Sequence, residues 1–362
     1  MSCKLFLPKF LWKHIIEQLS MTDIKAMLVS DKSFDSLIDD DVWMQYLFKE
    51  IQSNIIIVRC KTEPMDKFWK YAYYNHMTCD KIETAIDLIE SDNKSNATFN
   101  KKLVGNNIFS YKVLIKQGDY LISNRYKKFY HTKCNIEIIG GYEGVTTISP
   151  TGTDWDKDVK PFYVSGHLII KNITFHYLYV IYKQKSIDDI SSLVISDCRF
   201  ETNCILDIGS ICNTHITNCM FDDSSLNIYP ENKSVINNYI IENSTFTNYG
   251  GDWYLELYSG SGKPLTVSII GNTFDNNTPY PGALISNEAK YATIMVTNNN
   301  IINVHTCICT LEDIGSPVIL ENNIFTNVQS LFDETVGIAK LGSSNTFVNC
   351  GINLTKYVDQ NN

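Results

Sequence analysis

The chain has 362 residues, 44% of them hydrophobic and 20% charged, which allows more than one packed domain and excludes disorder as the default. The formal charge of −9 is uneven: residues 1–77 balance at 10 basic and 10 acidic side chains, whereas residues 168–362 hold 9 basic and 19 acidic, a net of −10. An acidic second half repels phosphate backbones, so nucleic acid is not an expected partner.

At the N-terminus Lys4, Pro8, Lys9 and Lys13 interrupt any apolar run, so neither a signal peptide nor a membrane span is expected. The eleven cysteines are odd in number and lack framework spacing. They read as reduced thiols of a cytoplasmic or nuclear protein that is not secreted.

Leu5 to Ile51 reads as a string of short helices. Pro8 suits a first helical position, and Leu11, Ile15 and Leu19 follow at i, i+4 and i+8 with Trp12 and Ile16 beside them. Ser20-Met21-Thr22-Asp23 offers a helix start, with an acceptor at Ser20 and an acid three residues on. Ile24, Met27 and Leu28 continue the apolar side. Phe34 and Leu37 mark a further short helix, and Asp39-Asp40-Asp41 precedes Val42-Trp43 and Leu47-Phe48.

This order resembles the F-box family over about 45 residues. The matching positions are Leu7-Pro8, the pair Ile15 and Ile16 before Leu19, the acid Asp23, Val29-Ser30 running to Phe34, and the late Trp43. Asp31 departs from the pattern, with Lys32 beside it. The resemblance implies a Skp-type adaptor of a cullin-RING ubiquitin ligase (SCF type) as partner. So small a domain hides a low fraction of its apolar surface. On this resemblance Leu7, Pro8, Ile15, Ile16, Leu19 and Leu28 are expected to face the adaptor.

Residues 53–110 read as a helical connector and solenoid cap, after an F-box at 1–52. Met65 to Tyr74 is aromatic-rich and suits a helix packed between two domains. Asp80 to Glu90 places Ile82, Ala85, Ile86 and Ile89 on one helical face, and Asn93 to Asn107 reads as a polar loop. The basic stretch from Lys112 to Lys133 reads as a solvated face.

From residue 111 to 357 one phrase recurs, first clean at Leu168 to Phe175. Its anchors fall at 175, 200, 221, 246, 274, 301, 325 and 347, at intervals of 21 to 28 residues. A β-branched run and a polar corner per unit at that period define a solenoid. Together with the helix and the strand–Gly segments before it, the array resembles the right-handed parallel β-helix of the pectate-lyase-like superfold. The chain is thus expected to be an α + β-solenoid protein, with a tail at 358–362. A second strand follows each anchor, as in Ile205 to Ile208 and Trp253 to Tyr258. Asn172, Asn218, Asn243, Asn272, Asn298, Asn322 and Asn345 are expected to stack as one amide ladder at a corner.

β-Helices often cleave polysaccharides, and glycosidase chemistry needs two facing carboxylates. Asp207, Asn227 and Glu256 align in one outward column, but no Arg or Lys stands beside them, and the paired-Asp, Gly-His-Gly and Arg-x-Lys set of polygalacturonase-like enzymes is missing. No catalytic residue is therefore assigned. His305, Cys307 and Cys309 would share a strand face, but same-face positions about 6.8 Å apart are too far for one zinc ion. No metal and no cofactor are expected. Cys198 and Cys219 occupy equivalent corners of adjacent coils and are expected to stay thiols.

A target protein is expected to meet an outward patch of Tyr249, Tyr254, Glu256 and Tyr258, with Tyr280 between two prolines. The combination of domains resembles animal F-box-only proteins with β-helix repeats, and the Asn- and Ile-rich composition resembles F-box proteins of giant DNA viruses. The implied function is that of a non-catalytic substrate receptor, in a host cell if viral. A polysaccharide-active enzyme and a scaffolding solenoid are the alternatives.

Overall fold

In a computed structural model, the chain is described at residues 11, 15–16, 18–30, 34–35, 38–60, 68–100, 109–122, 134–141, 144–151, 162–163, 166–183, 192–209, 213–229, 237–251, 253–258, 265–278, 282–289, 292–310, 317–332 and 339–352. Helix α1 (Met21–Ser30) begins in a reciprocal cap. Ser20 Oγ accepts from Asp23 N–H at 3.2 Å, while Ser20 N–H donates to Asp23 Oδ2 at 3.2 Å. Helix α2 (Asp40–Glu50) closes a small core of Ile16, Met21, Ile24, Ile38, Val42, Trp43 and Tyr46.

Four residues after α2, strand β1 (Ile55–Cys60) begins. Helix α3 (Phe68–Tyr74), strand β2 (His76–Cys79) and helix α4 (Ile82–Asn100) follow. The connector is therefore not purely helical. Ile55-Ile56-Ile57-Val58 is a β-branched run, and β1 pairs antiparallel with both β2 and β3 (Phe109–Ile115). Helix α4 also outruns the expected loop boundary at Asn93, because no Gly or Pro interrupts 82–100.

Alternation along β1 and β3 divides two cores. Ile55, Ile57, Val113 and Ile115 face the solenoid interior with Ile82, Ala85 and Ile89 of α4, which covers the first coil. Ile56, Val58 and Leu114 face the other way, onto Leu47 and Phe48 of α2. The carboxylate of Asp40 accepts the backbone N–H groups of Trp69 and Lys70, both at 3.0 Å. The helical domain thus packs directly on the outer face of the solenoid's first coils.

Among the described residues the solenoid has three sheets: twelve strands in the first (β1 and β2 included), ten in the second and eight in the third. Beyond β3 all neighbours within a sheet pair parallel, coil upon coil, as in Leu193 beside Leu168 and Phe200 beside Phe175. Parallel crossovers of this kind take the right-handed sense. Ten coils among the described residues, stacked at about 4.8 Å, give a rod on the order of 45 Å.

Each full coil contains three strands rather than two. The Phe anchors are the middle residues of three-residue strands, such as Thr245–Thr247, in the second sheet. Their rings stack inside the core: Phe200 and Phe221 are 4.7 Å apart, Phe221 and Phe246 4.5 Å, and Phe246 and Phe274 4.7 Å. A strand this short shows no alternation in sequence, which hid it.

The asparagines form two columns, not one. Asn172, Asn218, Asn243, Asn298 and Asn322, with Asp197 and Gly271 in the same register, hold φ between 51° and 65° at the exposed corner between the first and second sheets. Asn and Gly tolerate that left-handed geometry, which other residues resist. The ladder lies one residue further on, at the buried Asn272, Asn299 and Asn323 and the half-buried Asn345. Asn272 N–H donates to Asn299 Oδ1 at 2.8 Å, Asn299 N–H to Asn323 Oδ1 at 2.9 Å, and Asn323 N–H to Asn345 Oδ1 at 2.9 Å. Earlier coils fill this column with Ser244, Cys219 and Cys198; Ser244 Oγ accepts from Cys219 N–H at 3.0 Å.

Candidate functional site

Two surfaces can be tested against the sequence. The first is the helical domain. Leu7 and Pro8 lie outside the described residues. Ile15 is 39% exposed. Ile16 is a correction: it is fully buried in the domain's own core, and its carbonyl accepts from the Tyr46 hydroxyl at 3.1 Å. Consecutive helical residues cannot both face outward when one must close the core beneath Trp43. Leu19 and Leu28 are half-buried against the same core. Two apolar side chains not assigned from sequence join Ile15 at the surface, Leu11 at 39% and Val29 at 87% exposure. Leu11 was already visible at i−4 of Ile15.

The second surface is the outer side of the third sheet. The register sets Asp207 beside Asn227 and Asn227 beside Glu256, the column read from sequence, and Ser286 extends it. Asp207 and Asn227 are buried. Glu256 is half-buried and accepts from the Tyr229 hydroxyl at 2.9 Å, with the Tyr229 and Tyr258 rings 5.8 Å apart. Tyr258 is exposed as expected.

Tyr254 is a correction. It is 1% exposed, with its ring 6.3 Å from Phe246, 6.2 Å from Phe274 and 5.7 Å from Tyr249. Trp253, next to it, is half-buried. Tyr254 is not paired in the ladders on either side of its strand, and its ring meets the phenylalanine stack of the second sheet. Burial raises its hydroxyl pKa, as the lost hydration penalises the phenolate. Tyr249 is half-buried against the core, and Tyr280 lies outside the described residues. The proposed tyrosine patch thus reduces to Tyr258, Glu256 and Tyr229.

The first sheet carries a feature not anticipated from sequence. On its outer face the register aligns Ile169, Val194, His215, Ile240, Ser268, Met295 and Ile319 in one column. Five of the seven are apolar, and all five are half-buried. The signal was present: Leu168-Ile169-Ile170, Leu193-Val194-Ile195, Tyr239-Ile240-Ile241, Ile294-Met295-Val296 and Val318-Ile319-Leu320 are apolar throughout where a one-faced strand should alternate. The third sheet keeps its alternation with Asp207, Asn227 and Glu256.

Charges on this face are largely paired. Glu137 Oε2 lies 3.0 Å from Lys112 Nζ, and Glu137 Oε1 lies 3.0 Å from Lys171 Nζ. Burial pushes the Glu137 pKa up, but the two lysines outweigh it and hold the carboxyl below its ordinary value of 4.5. His215 Nε2 lies 2.8 Å from Glu242 Oε1.

Of the sulfur candidates, Cys307 is fully buried while His305 is exposed, so they point apart and hold no common ion. Burial pushes the Cys307 thiol up to about 12. Cys198 and Cys219 are stacked, buried free thiols. Burial, and next the adjoining Cys219, hold the Cys198 thiol well above its usual range. Among the described residues no group of three or more His, Cys, Asp or Glu could hold a metal ion, and no helix is long and apolar enough to cross a membrane.

No protein-family model and no curated protein matches the chain. Among solved structures it is similar to the A-module of the mannuronan C-5 epimerase AlgE6 of Azotobacter vinelandii, at 11% identity and a TM-score of 0.36. That match covers 74% of this chain and 95% of the module. A likeness this distant carries no argument about chemistry.

Proposed function

We propose that the chain is a substrate receptor: its N-terminal helical domain, which resembles an F-box, docks on a Skp-type adaptor of a cullin-RING ubiquitin ligase, and its solenoid holds a target protein. One observation carries the reading. Leu11, Ile15 and Val29 stand exposed on a domain whose own core is already closed around Trp43. Exposed aliphatic side chains on a complete small domain are what a helix-docking partner would cover. On this reading the chain performs no catalysis. It raises the local concentration of target at the ligase.

The shared core between α2 and the first sheet supports the same reading, because a receptor must hold target and ligase in a fixed relation. The experiment is binding of the full chain to a purified Skp-type adaptor, wild type against Leu11→Asp with Ile15→Asp. Ile16 is unsuitable for this test, since its substitution would unfold the domain.

A further inference from the structure

We infer that the outer face of the first sheet, from Ile169 to Ile319, docks an amphipathic helix of a partner protein whose apolar stripe is flanked by Lys or Arg. This rests on the receptor reading for its biological meaning, but its geometry stands alone.

The face is continuous with a helix–sheet seam the protein already makes. Over the first coils, Leu114 and the half-buried Ile139 pack beneath Leu47 and Phe48 of α2, and the Lys112 ammonium sits 4.8 Å over the Phe68 ring of α3. Register carries Lys112 to Glu137, and Glu137 to Ile169. The apolar column therefore continues the row of Val58, Lys112 and Glu137 on the outer face of the same sheet, one row over from Leu114 and Ile139, and begins where the covering helices end. Beyond that point Ile169, Val194, Ile240, Met295 and Ile319 have no helix over them among the described residues.

The column spans six inter-coil steps, about 29 Å at 4.8 Å each, which a helix of about 19 residues matches at 1.5 Å per residue. Its margins favour a basic partner. Asp197 and Glu321 border the sheet without an opposing Lys or Arg in the described ion pairs, Lys171 is engaged by Glu137, a single lysine, Lys340, follows Ile319 in register at the far end, and residues 168–362 carry a net −10. Acids along one edge of an apolar row, in a net negative surround, favour a cationic amphipathic helix over an anionic one.

The test uses the full chain and two fluorescein-labelled 18-residue helical peptides with identical leucine stripes, one flanked by Lys and one by Glu, read by fluorescence anisotropy at physiological salt. The Lys peptide is expected to bind wild type at least tenfold more tightly than the Glu peptide. Ile240→Asp with Met295→Asp should weaken the Lys peptide at least tenfold, and substitution of the exposed Ile324 on the second sheet, Ile324→Ala, should leave it unchanged. Ile240→Thr with Met295→Thr, which suits a strand, repeats the test where the Asp variant melts early. No binding of the Lys peptide, equal binding of both peptides, an unaffected ridge variant, or loss confined to Ile324→Ala would each overturn the inference. So would a dimeric wild type that the ridge variant turns into a monomer, since the face would then belong to a second copy. Adaptor binding, measured on the same variants, should be unchanged; its absence from wild type would remove the receptor reading and leave the ridge result standing.

Discussion

Asn298 and Asn299 are neighbours in sequence with opposite roles. Asn298 is exposed and holds the left-handed corner at φ 59°, while Asn299 is 1% exposed and links Asn272 to Asn323 through its side-chain amide. The corner residue is chosen for its backbone, the ladder residue for its two-sided hydrogen bonding.

The pair predicts unequal substitutions. Asn299→Ala leaves Asn272 N–H and Nδ2, and the Ile269 carbonyl, without their partner in the interior, and should cost about 3 kcal/mol. Asn298→Ala should cost about 1 kcal/mol through φ alone, and Asn298→Gly about nothing. Urea melts of the three variants check this. Similar losses at both positions would mean that the two columns are not distinct.

Glu137 predicts a pH dependence. Its folded pKa lies below the ordinary 4.5, so its pairing with Lys171 and Lys112 contributes fully above about pH 4.5 and fades as pH falls through the folded value. Glu137→Gln should cost about 1 kcal/mol at pH 7, and that gap should narrow as the pH is lowered below 4.5. A gap that stays constant from pH 7 to pH 3 would show that the carboxylate's charge contributes nothing.

The buried thiols predict selective silence. With pKa values raised by burial, Cys198, Cys204 and Cys307 carry almost no thiolate at pH 7.5. Iodoacetamide on the native protein, followed by peptide mass spectrometry, should leave all three unmodified until denaturant is added. Rapid native labelling of Cys307 would place it at the surface, against the fold described.

The solenoid was legible because its period repeats: Phe200, Phe221, Phe246 and Phe274 recur with Asp197, Asn218, Asn243 and Gly271 three residues before each, and only β-solenoid packing puts them in one stack. The asparagine columns were merged because Asn298-Asn299 and Asn322-Asn323 offer two amides where one was sought; backbone φ, which sequence does not print, separates them. Tyr254 was misread because strict alternation was carried past the point where its strand leaves the regular ladder. Ile16 was misplaced because helical spacing fixes a face only to within a residue. The apolar outer row of the first sheet went unread, as Leu168-Ile169-Ile170 reads equally as a strand buried on both sides.

The receptor reading is tested most directly by calorimetric titration of the full chain with a purified Skp-type adaptor. Wild type should bind one to one with a Kd below about 10 μM. Leu11→Asp with Ile15→Asp should weaken binding at least about a hundredfold, as loss of two central apolar contacts does, while leaving the melting temperature within a few degrees. No binding heat from wild type at about 100 μM, or equal affinity for the variant, would contradict it.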